Sequence, residues 1–299
     1  MTSATMGSDG RARLSAVILT RNEEALIERC LRSVRDVVDD IIVVDSCSTD
    51  GTCEIATRMG ARVVEQPWLG WIRQRALGIH LAQHDWVLIV EADEIVTPRL
   101  ATSIREALAS PLDPADGFSI DRRDDFLGAL LPSMRRRKKQ KSFVRLFNRT
   151  RSAYDPTLVI HDEVRVAGRT APLDGILIHW RGFTIVQQVA RYTHYAPLEA
   201  DVMEARGDRV SVASLAWRPF LRFGWCYLAC GGFRLGARGF AHALMVASSE
   251  YLRFAAVWER QQAPASMHPS TDVGRAYLYE EAPAETRVST PTPVSRGIA

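Results

Sequence analysis

The sequence predicts an α/β protein built on a mostly parallel, doubly wound sheet flanked by helices, followed by an amphipathic helical region. Two observations carry this expectation. Short apolar runs rich in β-branched residues alternate with segments of helical period through the first third of the chain, as βαβ units do. The runs are also continuously apolar instead of alternating, which is what strands covered by helices on both faces require.

The elements follow in order. Residues 14–19 (L-S-A-V-I-L) form the first predicted strand, and Thr20-Arg21-Asn22-Glu23-Glu24 has the composition of a helix start. Over residues 24–37, Ala25, Leu26, Cys30, Leu31 and Val34 fall at helical spacing. Residues 41–44 make a second strand, and the polar turn 45–52 caps a helix over 53–59. A third strand spans 61–65, a helix 72–83, and a fourth strand 86–90. Beyond Asp116, the short apolar pieces 117–120, 143–147, 164–166 and 176–180 are expected to extend the same sheet. Residues 183–205 read as a helix closed by Gly207, and 215–258 is an apolar stretch dotted with arginines. The chain therefore divides into a polar leader (1–13), a first half of the sheet domain (14–115), a second half (116–182), a helical region (183–260) and a Pro/Ser/Thr-rich tail (261–299). Leader and tail are expected to be disordered.

Composition narrows the classes of function. With 299 residues, 46% of them hydrophobic, the chain can bury a full core. Lys and Arg exceed Asp and Glu by 38 to 35, a net charge of +3, too slight to argue for a nucleic-acid partner. The five cysteines are odd in number and contain no C-x-x-C pair, so neither a disulfide framework nor a zinc site is indicated, and a reducing, cytoplasmic location is expected. The N-terminus lacks the apolar core of a signal peptide. The longest uncharged apolar runs, 223–233 and 239–249, are about half of the ~20 residues that span a bilayer. Residues 217–225 nevertheless mix Trp, Phe and Leu with arginines as interfacial helices do, so peripheral contact with a membrane face is one expectation. Packing on the sheet or in a dimer contact is the other.

Open α/β sheets take ligands at the carboxyl ends of their strands, and each strand of the first half ends in polar groups: Thr20-Arg21-Asn22-Glu23, Asp45-Ser46 and Glu91-Ala92-Asp93-Glu94. The last junction, W-V-L-I-V-E-A-D-E, delivers three carboxylates to one strand end, a strongly anionic site. Oxygen ligands of this kind suit Mg²⁺ or Mn²⁺, which usually arrive with a substrate diphosphate. A solvated acidic loop is the alternative. There is no G-x-x-x-x-G-K-[ST] and no G-x-G-x-x-G, which argues against the usual kinase, ATPase and dinucleotide-enzyme signatures.

These residues resemble the family 2 glycosyltransferases of the GT-A fold, and within them small bacterial enzymes similar to the lipopolysaccharide-core glucosyltransferases. The resemblance runs over about residues 14–258. It rests on Thr20-Arg21-Asn22-Glu23-Glu24, the string I-V-V-D-S-C-S-T-D-G-T ending at Thr52, the E-A-D-E junction, Asp116-Gly117-Phe118 with Arg122-Arg123-Asp124-Asp125-Phe126-Leu127-Gly128, Arg145-Leu146-Phe147, and Ile160-His161-Asp162. It implies a GT-A (Rossmann-like) sheet and transfer of a sugar, with inversion, from a nucleotide-diphosphate donor, usually a UDP-sugar. The implied acceptor is a saccharide or lipid-linked molecule of the cell envelope, and the implied metal is Mg²⁺ or Mn²⁺. By resemblance Asp45 contacts the donor's base and ribose, with Thr20, Arg21, Asn22, Glu23, Ser46 and Ala92 at the same end. Asp93 is the metal-binding aspartate of a D-x-D signature whose first acid here is Glu91. Arg75 lies near the donor phosphates, Asp162 is the catalytic base, and His161 orients the acceptor.

The sequence departs from the family pattern at several of these positions. Glu91 stands for Asp, Asp162 for Glu, Cys47 for Gly and Ala76 for Asn, and the basic run 135–141 replaces aromatics and an Asp on the acceptor side. That run suggests an anionic acceptor. A catalytically weakened relative that binds a nucleotide sugar or an assembly partner is the rival reading. A nucleotidyltransferase is disfavoured, because no Gly-rich loop follows Leu19.

Overall fold

The computed structural model describes residues 10–109, 115–132, 143–154, 164–182 and 184–262. His161, Asp162, the basic run 135–141, the leader up to residue 9 and the tail from residue 263 lie outside the described residues. The packed chain starts ahead of the first strand. Ala12 is buried, its N–H donates to the Leu108 carbonyl, and Arg11 pairs with Asp39.

Strands β1 (Leu14–Thr20), β2 (Asp40–Asp45), β3 (Arg62–Glu65) and β4 (Trp86–Glu91) line up in the order β3-β2-β1-β4, all parallel. Every residue of β1 is buried, as its unbroken apolar run requires. Successive side chains take opposite faces of the sheet. Leu14, Ala16 and Ile18 pack with α1 (Glu24–Val34) and α4 (Pro98–Ala109), whereas Val17 and Leu19 pack towards α3 (Trp71–Leu81). Helix α2 (Thr52–Arg58) closes the β2–β3 crossover.

Beyond β4 the sheet becomes mixed. Strands β5 (Glu94–Val96), β6 (Gly117–Phe126), β7 (Ala129–Leu130), β8 (Val144–Asn148) and β11 (Thr170–His179) complete it in the order β4-β8-β6-β11-β5, with β7 hairpinned onto β6. Strand β8 is antiparallel to both β4 and β6, and β11 is parallel to β6. Residues 164–166, expected in this sheet, instead form β10 (Val164–Val166), which pairs with β9 (Ser152–Tyr154) in a separate ribbon. Both edges of β8 are already filled by β4 and β6, so these residues have no free edge there. Helix α4 was not among the predicted elements. Pro98 opens it at the first helical position, where the missing N–H costs nothing, and Leu100, Ala101, Ile104 and Leu108 form its buried face.

Three helices follow. In α5 (Ile185–Ala205), Thr184 and Gln187 form a reciprocal capping box. The helix ends at Gly207, whose φ of +77° is the left-handed conformation expected there. Helix α6 (Val212–Gly224) is capped by Ser211, and α7 (Gly236–Gln262) lies against both other helices. Ala200, Val210, Phe254 and Val257 form the core between them. Met245 of α7 joins Phe126 and Leu131 in a second cluster that ties the helices to the sheet. Among the described residues, no helix is long and apolar enough to cross a membrane.

Candidate functional site

Strand register decides which side chains meet. Thr20 lies opposite Asp45 across β1 and β2, and Leu19 opposite Glu91 across β1 and β4, so three neighbouring strands end together. Asp45 is fully buried there and its carboxylate is held on three sides. Thr20 Oγ1 and Ser48 Oγ donate to Oδ2 at 2.8 and 2.6 Å, and Ser48 N donates to Oδ1 at 2.6 Å. The turns after β1 and β2 are laced together. Asn22 N donates to Ser48 Oγ (2.8 Å), Thr49 N to Asn22 Oδ1 (2.9 Å), and Glu23 N to Thr52 Oγ1 (2.8 Å). Asn22 and Cys47 both have positive φ (55° and 59°), a conformation costing roughly 1–2 kcal/mol for a side chain such as Cys and held here by the surrounding bonds. Ser46 N donates to the Thr20 carbonyl, and Gln74 of α3 donates to Ser46 Oγ. Thr20, Asn22, Glu23, Asp45 and Ser46 thus form one rim, with the exposed Arg21 in the same turn.

At the end of β4 the charge balance differs from the anionic site expected. Glu94 is fully buried and structural: it accepts from Glu91 N (2.9 Å) and from Arg122 Nε (2.5 Å). Glu91 Oε1 accepts from Arg75 Nη2 at 2.8 Å and Arg145 Nη2 at 3.0 Å, and Arg122 lies 3.7 Å from Oε2. Burial pushes the Glu91 carboxyl up, but Arg145, Arg122 and Arg75 overcome it and hold the group at about 2. Arg75, only 2% exposed, does not belong to a solvated helix face. It reaches across from α3 to anchor Glu91.

Asp93 lies one residue past the buried Ala92, and the end of β11 comes to meet it. Trp180 N donates to the Asp93 carbonyl at 2.7 Å, His179 Nε2 lies 2.9 Å from Asp93 Oδ2, and Arg181 Nε lies 3.0 Å from the same oxygen. The other ring nitrogen of His179 bonds to Asp124 of β6. Burial lowers the His179 imidazole, but the hydrogen bonds to Asp124 and Asp93 outweigh it and raise the group to about 9. Ligand atoms of Glu91, Asp93 and His179 all lie within 4.8 Å of one another. Two carboxylates and an imidazole suit Mn²⁺ and, through the oxygens, Mg²⁺. An imidazole oriented by a carboxylate on its far nitrogen is the arrangement metal-ligating histidines use. The donor set fits a divalent cation once His179 gives up its Nε2 proton and Arg181, which lies against the same Asp93 oxygen, turns aside.

Glu23 faces this corner from the β1 rim. Burial, then the charges of Asp93, Asp50 and Glu91, raise its carboxyl from 4.5 to about 7. A carboxyl raised in the folded state binds more protons there than when unfolded, so stability falls as pH climbs from 4.5 to 7. Glu23→Gln is therefore expected to stabilise the fold at pH 8 by about 1 kcal/mol, discounted because water still reaches the group, seen as a higher melting temperature, and to change little at pH 4. Equal melting curves at pH 8 would remove the argument.

Of the site residues expected from sequence, Thr20, Arg21, Asn22, Glu23, Asp45, Ser46, Arg75, Glu91, Ala92 and Asp93 come together at the ends of β1, β2 and β4. His161 and Asp162 lie outside the described residues. Sequence reasoning did not assign Arg122, Asp124, Arg145, His179 or Arg181 to the site. The available signals were the Arg122-to-Gly128 and Arg145-Leu146-Phe147 motifs, and a histidine ending the apolar run 176–178. Beside His179 and Asp124 opens a cleft of about 610 Å³ between the ends of β6 and β11 and helices α5 and α7.

Comparison with known proteins adds four findings. Residues 15–167 match the family model described as glycosyl transferase family 2. An uncharacterized glycosyltransferase of Rickettsia typhi is 30% identical over 261 residues, covering 83% of this chain and 87% of that protein. The lipopolysaccharide core biosynthesis glycosyltransferase LpsC of Rhizobium meliloti is 28% identical over 257 residues, covering 83% and 92%. Among solved structures, residues 1–349 of S. aureus TarS in complex with UDP-GlcNAc align at a TM-score of 0.46 and 14% identity, over 84% of this chain and 92% of that one.

Proposed function

The chain belongs to glycosyltransferase family 2, and from that premise we propose that it moves a sugar, with inversion, from a UDP-sugar to a saccharide or lipid-linked acceptor of the cell envelope. The observation that carries this reading is the meeting of Asp45, Glu91 and Asp93 at three aligned strand ends, with His179 closing the corner. Asn22 and the rim braced by the buried Asp45 take the base and ribose, and Glu91, Asp93 and His179 would hold Mg²⁺ or Mn²⁺. Bound there, the ion supplies Lewis-acid neutralisation of the charge that builds on the leaving diphosphate. Arg181 adds a fixed positive charge at the same place. The acceptor hydroxyl oxygen attacks the anomeric carbon opposite the diphosphate. A new C–O bond forms as the bond to the phosphate oxygen breaks, and a carboxylate, Asp162 in this reading, takes the hydroxyl proton. The relative named for lipopolysaccharide core biosynthesis supports an envelope acceptor. Release of UDP from a panel of UDP-sugars with Mg²⁺ or Mn²⁺ tests the proposal, and no release from any donor would sink it.

Peripheral attachment to the cytoplasmic membrane face forms part of the same proposal. Between Arg209 and Ser249 the sequence carries arginines at 209, 218, 222, 234 and 238 and no carboxylate. Trp217, Phe220, Leu221, Leu228 and Phe233 are exposed along that stretch. Apolar side chains set among arginines, of which Arg218 reaches Glu250 at 4.0 Å, suit an anionic bilayer surface. The protein is expected to float with phosphatidylglycerol vesicles and to sediment with phosphatidylcholine alone. Sedimentation with both would rule the attachment out.

A further inference from the structure

We propose that the cleft beside His179 is the acceptor site and that helices α5 and α7 shape it for a saccharide. This rests on the glycosyltransferase reading above and adds the location and chemistry of the second substrate. The floor of the cleft is continuous with the donor corner, since His179 and Asp124 line it while His179 also faces Asp93. A molecule lying in the cleft therefore presents its groups to the corner where the donor diphosphate is placed.

The outer wall comes from α5, through Gln188, Arg191, Tyr192 and Tyr195, and from α7, through His242 and Met245. Both helices lie beyond residue 167, where the match to the family model ends, so this wall is a feature of the chain outside the shared catalytic fold. It is fixed in place. Met245 packs with Phe126 and Leu131, Tyr192 packs against that cluster, and the Phe126 and His242 rings meet edge to face at 5.4 Å.

The lining identifies the ligand class. Trp180, Tyr192 and Tyr195 line the cleft, and aromatic side chains suit the C–H faces of a pyranose; Arg29 covers one face of the Trp180 ring and Arg191 lies over that of Tyr195. Among the described residues the cleft is also lined by three arginines, Arg122, Arg181 and Arg191, and three carboxylates, Asp124, Asp125 and Glu199. A lining with equal numbers of guanidinium donors and carboxylate acceptors suits hydroxyl groups, which both donate and accept. A lipid chain would need an apolar lining.

The test is calorimetric titration of the full-length protein, in the presence of UDP and Mn²⁺, with the oligosaccharide obtained by O- and N-deacylation of lipopolysaccharide, in phosphorylated and dephosphorylated forms. The wild type is expected to bind both forms. Tyr195→Ala and Gln188→Ala are expected to weaken binding at least tenfold, and Tyr195→Phe, which keeps the ring, to stay within about threefold of the wild type. Val186→Ala, an exposed position of the same helix that does not line the cleft, controls for damage to α5 and should bind as the wild type does. Binding unaffected by both Tyr195→Ala and Gln188→Ala would overturn the proposal, as would absence of binding of either form to a protein that turns over a UDP-sugar. A wild type that releases UDP from no donor would instead defeat the underlying glycosyltransferase reading.

Discussion

Asp93→Asn is expected to lower UDP release from the preferred donor by about a thousandfold. The exchange keeps the side chain's shape and one carbonyl oxygen, so the fold has little to lose; Asp93 is partly accessible and its backbone bond to Trp180 N is untouched. What it removes is a negative charge at the point where His179 and Arg181 converge. Without that charge the corner holds a divalent cation weakly, and Arg181 loses the partner that orients it. Removing a single preorganised electrostatic group from an active site commonly costs a hundred- to a thousandfold, about 3–4 kcal/mol of barrier. Loss of a metal ligand belongs at the upper end. The variant should keep the wild-type melting temperature to within a few degrees, so the loss can be assigned to chemistry. Turnover within tenfold of wild type would show that the corner is not the donor's diphosphate site.

Glu91→Gln is expected to act on stability at least as strongly as on turnover. Its carboxylate is the shared acceptor of Arg75 and Arg145, whose side chains are 2% and 8% exposed, and it lies within reach of Arg122. An amide of the same shape keeps an oxygen for these donors but not the charge that repays their burial. Removing one member of a buried ion network typically costs about 3–5 kcal/mol, much of it from the charges left behind. Glu94 remains beside Arg122 and Arg145, which argues for about 3 kcal/mol, a fall in melting temperature of roughly 6–12 °C. The pH dependence has a definite sign. Held at about 2 in the folded protein against an ordinary 4.5, Glu91 contributes its full stabilisation above about pH 4.5 and loses it as pH falls from there towards 2. The difference between wild type and variant should therefore be largest at neutral pH and shrink at pH 3. Superimposable melting curves at pH 7 would show that the arginines do not depend on this carboxylate.

The parallel half of the sheet was legible because β-branched runs and the polar turns that end them are local signals. Residues 14–19, 41–44, 61–65 and 86–90 each became a strand, extended or trimmed by a residue at the ends. The closure at Gly207 was equally local. The second half was harder, since β8 pairs antiparallel with both neighbours and β11 reaches β6 from far along the chain. Nothing in residues 164–166 alone says that the edges of β8 are already taken. Helix α4 carries a local signal too, with Leu100, Ala101, Ile104 and Leu108 at helical spacing behind Pro98, and the sequence reading did not use it.

The site divides in the same way. Asp45, Glu91 and Asp93 stand at strand ends that the sequence marks, and their convergence follows from parallel register. Arg122 and Arg145, which with Arg75 of α3 neutralise Glu91, and the Asp124–His179 pair come from strands well downstream of the acidic junction, so only the tertiary fold brings them there. The acidic junction looked strongly anionic in isolation. In the folded chain it is a compensated corner in which Glu94 is buried against Arg122 while Asp93 faces His179 and Arg181.

The most direct measurement of the central claim is the thermal stability of the full-length protein across UDP-sugars, each with and without Mn²⁺. A ligand present at about a hundred times its dissociation constant adds ~2.7 kcal/mol to the folded state. The account predicts that at least one UDP-sugar raises the melting temperature by several degrees with Mn²⁺, that the rise is much smaller without the metal, and that Asp93→Asn abolishes the difference. No shift with any UDP-sugar, or a shift indifferent to both Mn²⁺ and Asp93, would contradict it.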